Sequence, residues 1–105
     1  MKKPIWATKK QLRYKFVRMD NTSLLNVNER TTVCEPMNPG TVLTYFPGRL
    51  ITSPNGVCRK KNHGCCRGIH AYKTIDNRIF KIIKVYAMKW HGRGNEVRAR
   101  KVYVE

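Results

Sequence analysis

The longest apolar stretch in this 105-residue chain, Ile79 to Trp90 (IFKIIKVYAMKW), decides the fold class. Helical spacing would put Ile79, Ile82, Ile83, Tyr86 and Trp90 on one face. Strand spacing leaves both faces mostly apolar, the pattern of a strand with neighbours on either side. The stretch is rich in β-branched and aromatic residues, which favours the strand. His91-Gly92-Arg93-Gly94-Asn95 then makes a glycine-rich turn, and Val97 to Val104 (VRARKVYV) reads as a second strand. The two together predict a C-terminal β-hairpin.

Gln11 to Met19 alternates in the same way. Leu12, Tyr14, Phe16 and Arg18 share one face, and Arg13, Lys15, Val17 and Met19 share the other. This predicts a half-buried strand whose outer face is basic. Thr31 to Cys34, Thr41 to Phe46 and Arg49 to Thr52 are shorter strand candidates, separated by loops rich in Pro, Gly and Asn. Thr74 to Asn77 suits a short helix or turn. Residues 1–10 read as a basic N-terminal arm pinned by Trp6, and residues 11–105 as one β-rich domain. The expected fold class is α+β and β-rich, a small single domain with a mostly antiparallel sheet, the C-terminal β-hairpin and one or two short helices.

Charge bounds the function. Lys and Arg number 22 against 6 acids, a formal net charge of +16. Self-repulsion at this charge opposes compaction, and a polyanion relieves it. Nucleic acid or a ribonucleoprotein is the first expected partner and an acidic host protein the second. No apolar run reaches the ~20 residues of a membrane helix. Lys9 and Lys10 interrupt what would be the apolar core of a signal peptide, so no membrane association and a cytoplasmic location are expected.

The basic residues fall into groups: Lys9 and Lys10 in the arm, Arg13 and Lys15 in the first strand, Arg59, Lys60, Lys61 and Arg67 in a central loop, and Arg98, Arg100 and Lys101 near the end. Alternate spacing in Arg13/Lys15 and Arg98/Arg100 would put each pair on one strand face, with Lys15 and Arg98 as phosphate clamps. Trp6, Tyr45, Trp90 and Tyr103 are candidates for stacking on bases where they are exposed. No phosphate-binding glycine loop and no paired-carboxylate arrangement occurs, so an enzyme is not expected.

Asn55 to Thr74 (NGVCRKKNHGCCRGIHAYKT) holds three of the four cysteines. Zinc takes four soft or borderline ligands in a tetrahedron, and Cys58, His63, Cys65 (or Cys66) and His70 would be the set here. The spacings match no familiar zinc finger or knuckle. Packed thiols, including Cys34, and a disulfide are the other readings. No cofactor other than zinc is implied. In the segment GIHAY, Ile69 and Ala71 would pack inward while His70 and Tyr72 face the other way.

Gly68-Ile69-His70-Ala71-Tyr72-Lys73-Thr74, Val-Arg-Ala-Arg-Lys-Val at 97–102 and Tyr14-Lys15-Phe16-Val17-Arg18 together resemble a family of small domains of unknown function found in phages and prophages. The resemblance implies a phage origin and an α+β or mostly β fold, and transfers no activity and no site residues. The Cys65-Cys66 pair and the charge depart from that family. The functional expectation is a small basic phage-type binding protein that engages nucleic acid or a protein–nucleic-acid complex. Its alternatives are a phage-encoded inhibitor or accessory factor acting on an acidic site of a host protein, such as a defence nuclease or polymerase, and a virion or ribosome-associated structural component.

Overall fold

The computed structural model describes residues 2–23, 42–54, 56–59, 68–75 and 80–105. Within them a 3-10 turn, Lys9–Gln11, precedes six strands: β1 (Leu12–Val17), β2 (Leu50–Thr52), β3 (Ile69–Tyr72), β4 (Lys81–Tyr86), β5 (Glu96–Ala99) and β6 (Lys101–Val104). They form one antiparallel sheet in the order β2-β6-β4-β1-β3-β5. The β-rich expectation holds, with almost no helix among the described residues. Of the Thr41 to Phe46 candidate, the described residues 42–46 contribute a single bridge, Thr44 to Thr22, in place of a strand. The Thr31 to Cys34 candidate lies outside the described residues. No helix among the described residues is long and apolar enough to cross a membrane.

The predicted hairpin is present, and its second arm does more than expected. Val85 pairs with Val104, Tyr86 with Tyr103, and His91 with Arg98, all in one register across the glycine-rich turn. That arm bends at Arg100, and its two halves take different outer partners: β5 pairs with β3, and β6 with β2. β6 and β5 stand four strand spacings apart in the sheet, about 19 Å if it were flat. A single intervening residue spans at most about 7.6 Å between flanking Cα atoms. The sheet therefore rolls up until β1, β4, the bent arm and β3 surround a common interior, with β2 appended outside the ring.

The interior is lined by Val17, Ile69, Ala71, Ile83, Val85, Ala87, Ala99, Val102 and Val104, all buried, and is plugged by Tyr45, 1% exposed. Ile69 and Ala71 do face inward, as their alternation predicts. Apart from Tyr45 these side chains are small or β-branched, which suits the width of a barrel with so few strands. Outside, Trp6 and Ala7 pack on Leu12, Tyr86, Tyr103 and Leu50. Lys3 adds a contact over the Tyr86 ring and approaches Glu105, whose carboxylate accepts a 2.7 Å bond from the Tyr86 hydroxyl. The arm thus roofs one end of the outer surface.

Candidate nucleic-acid interface

β1 alternates as predicted, but its faces are exchanged. Lys15 pairs with Ile83 and Arg13 with Val85, and both partners are buried in the interior. Tyr14 and Phe16 pair with Lys84 and Ile82, which are exposed. The aromatic face of β1 is thus the outer one, and the Arg13/Lys15/Val17 face turns in. A barrel floor of Ala and Val has no room for two more aromatic rings, whereas a lysine stem can lie along it and carry its ammonium to an acceptor.

The outer face of β4, β1, β3 and β5 can be read as two cross-strand rows. One runs Lys84, Tyr14, Tyr72, Glu96. In the other, Ile82 pairs with Phe16 on one side and His70 with Arg98 on the next. The Phe16 ring meets Tyr72 at 5.4 Å between centroids and Phe80 at 6.1 Å, tilted and edge-on respectively. Such packing holds the rings in place while leaving face area open. Phe80 is 45% exposed and Ile82 37%. Tyr14, Ile82, Thr74 and Ile75 line an open depression of about 350 Å³ beside the rings. Lys84 stands within the first row, Lys73 follows Tyr72, and Lys81 precedes Ile82; all three are exposed.

The cations singled out in the sequence divide. Lys9, Lys10, Arg59, Arg100 and Lys101 are exposed. Arg13 is half-buried, its Nη1 donating to the carbonyls of Lys10 and Leu12 while its guanidinium lies 5.9 Å from the Trp90 ring. Lys15 is turned inward: its Nζ donates to the His70 carbonyl at 2.8 Å and sits 5.0 Å from the Tyr45 ring centre. Burial lowers its pKa from 10.5 to about 8, with partial relief from Glu96. Arg98 is only 6% exposed, and its Nε donates to the Cys58 carbonyl at 2.9 Å. The clamp geometry expected of Lys15 and Arg98 is therefore corrected: Lys15 turns into the interior, Arg98 is buried on the outer side against Cys58, and both serve backbone carbonyls. Arg98 and Arg100 differ in exposure, Arg98 being buried and Arg100 exposed. Lys60, Lys61 and Arg67 lie outside the described residues.

The stacking candidates are corrected in the same way. Tyr45 is core, Tyr103 is 7% exposed, Trp6 is packed in the roof, and Trp90 donates its Nε1 hydrogen to the Gln11 carbonyl at 2.9 Å. Among the described aromatics Phe46 and Phe80 are exposed, while Tyr14, Phe16 and Tyr72 are half-buried on the outer face; none of these was a stacking candidate in the sequence. One signal for them was available: Tyr14 and Phe16 fall on the strand face opposite Val17.

Of the zinc candidates, Cys58 and His70 are described, while His63 and Cys65 lie outside the described residues, as do Cys34 and Cys66. Cys58 is buried beneath Arg98. His70 is engaged through Nδ1 with the Glu96 carboxylate at 2.8 Å, and its Nε2 is buried without a hydrogen-bond partner. Among the described residues no three His, Cys, Asp or Glu side chains converge as metal ligands would. His91 is held below the ordinary histidine range by burial and by Lys89, Arg59 and Arg98, so that end of the molecule is positively charged without it.

No protein family, curated protein or solved structure matches this chain.

Proposed function

We propose that the protein binds single-stranded nucleic acid on the outer face of β4, β1 and β3. The observation that carries this reading is the outer-face ring group of half-buried Tyr14, Phe16 and Tyr72 with exposed Phe80, with exposed Lys84 in the same row and exposed Lys73 and Lys81 at the strand ends, in a chain of charge +16. Base–aromatic stacking contributes about 1–3 kcal/mol per base, and it needs unpaired bases. The lysines Lys73, Lys81 and Lys84 take the phosphates between stacked bases and release their counterions. A duplex hides its base faces, so it would gain only the second contribution.

The test is fluorescence anisotropy on protein purified through high salt and nuclease, with labelled single-stranded DNA and RNA seven-mers and a duplex control. Single strands should bind more tightly than the duplex, and log Kd should rise linearly with log salt. Phe16→Ala and Tyr72→Ala should each weaken single-strand binding by about tenfold. An unchanged affinity in both variants, with folding checked by circular dichroism, removes the platform reading. Absence of binding at low salt removes nucleic acid altogether. A nuclease-resistant complex with an acidic host protein would then be the outcome to pursue.

A further inference from the structure

Resting on that reading, we infer that the depression beside the rings seats the methyl-bearing edge of a thymine, so that the preferred strand is single-stranded DNA carrying thymine. Tyr14, Thr74, Ile75 and Ile82 line it, and its volume of about 350 Å³ lies at the small end of the range for ligand clefts. Its surroundings name the class of occupant. Lys84 stands directly across from Tyr14, while Lys73 and Lys81 are each one residue from a lining residue, Thr74 and Ile82. All three lysines are exposed, so an occupant with phosphates on its outer side is favoured over an uncharged or cationic one.

The lining decides which base. Ile75 is half-buried and Ile82 is 37% exposed, and with the Tyr14 ring they present carbon to the depression. Thr74 is engaged with a neighbour: its N–H and its hydroxyl donate to Asn95 Oδ1 at 2.7 and 3.1 Å, and its carbonyl accepts from Asn95 Nδ2 at 3.0 Å. The Tyr14 hydroxyl can donate or accept, so it does not separate one base from another. A base edge that enters such a lining leaves water without gaining hydrogen bonds, so carbon goes in and polar atoms stay at the mouth. Thymine suits this division, because its C5-methyl leads one edge while N3–H and O2 lie on the other side of the ring. The corresponding edge of a purine carries the N7 acceptor, and uracil and cytosine lack the methyl.

The probes are two DNA seven-mers, all-thymidine and all-deoxyuridine, which differ only in their C5-methyl groups. Both are titrated by anisotropy at one salt concentration against the wild-type protein and against Ile75→Thr/Ile82→Thr. That variant keeps both side chains β-branched and puts hydroxyls where the methyl would rest. Seating one methyl group should make the thymidine strand bind the wild type about fourfold more tightly than the deoxyuridine strand. The variant should bind the two strands alike. Equal binding of both strands to the wild type overturns the inference while leaving the stacking platform standing. A thymidine preference that survives in the variant also overturns it, because the methyl then acts through stacking on the rings. If neither strand binds at low salt, the platform fails and the thymine preference fails with it. The wild-type comparison needs no folded variant, and matched circular dichroism spectra qualify the comparison with Ile75→Thr/Ile82→Thr.

Discussion

Lys15 is a cation placed where the fold would be more stable without a charge, and that makes a measurable prediction. Its pKa falls from 10.5 to about 8 because the ammonium is taken from water into the barrel, with one hydrogen bond to the His70 carbonyl and partial relief from Glu96. The unfolded chain holds the proton up to about pH 10.5, while the folded chain releases it near pH 8. Between those values the unfolded state binds more protons, so stability rises with pH. Below pH 8 the penalty is fully present, at about 3 kcal/mol for the shift of about 2.5 units. Integrating from pH 8 to pH 10 returns about 2 kcal/mol of it. Lys15→Met removes the titration and keeps the apolar stem. Urea unfolding of wild type and Lys15→Met, followed by tryptophan fluorescence, gives both curves. The other titrating groups are common to the two proteins and cancel in the difference. The stability of Lys15→Met relative to wild type should therefore fall by about 2 kcal/mol between pH 8 and pH 10. Parallel curves would refute the reasoning and put the Lys15 ammonium in water.

Three further outcomes follow from the packing. Arg98→Ala should lower stability by about 2–3 kcal/mol in urea unfolding, because the buried Cys58 carbonyl loses its charged donor, and Arg98→Lys should recover less than half. Gly68→Ala should cost at least about 1 kcal/mol more than Gly94→Ala in thermal melts. Both glycines have positive φ, but a Cβ at Gly68 would stand 2.9 Å from Val57 Cγ2 and 3.3 Å from the Ala99 carbonyl, whereas Gly94 opens onto empty space. Trp6→Ala should cost about 2 kcal/mol and raise binding of a hydrophobic dye, since Leu12, Tyr86 and Tyr103 lose their roof.

Alternation along the chain was legible, but the side of each face was not. In β1 the residues 12, 14 and 16 carry the larger apolar area, so a reading by hydrophobicity alone puts them inside. The structure turns them out because closure of the sheet leaves an interior that admits Ala, Val and Ile. Closure is a property of strand order, set by pairings such as Tyr14 with Tyr72 and Ala71 with Val97, and no local pattern encodes those. The bend at Arg100 did leave a trace. Val97 and Ala99 are buried on one parity, Val102 and Val104 on the other, and the consecutive polar residues Arg100 and Lys101 mark the change. A reading of VRARKVYV as one regular strand does not contain this change. For the site, the charge and the Lys-rich outer strands pointed towards a polyanion. The aromatic rings that would meet it could be found only once the inside of the barrel was known.

The bent arm also sets the order in which the protein can be made. Residues 96–104 carry both seams of the ring, joining β3 through β5 and joining β4 and β2 through β6. They are synthesised after every other strand, and β1 waits for β4 across more than sixty residues of intervening chain. A nascent chain up to β4 has open strand edges and the unfilled half of a core, so collapse cannot become closure until the arm arrives. Pairings this distant in sequence make for slow folding, and the charge of +16 serves in that interval by keeping incomplete chains apart.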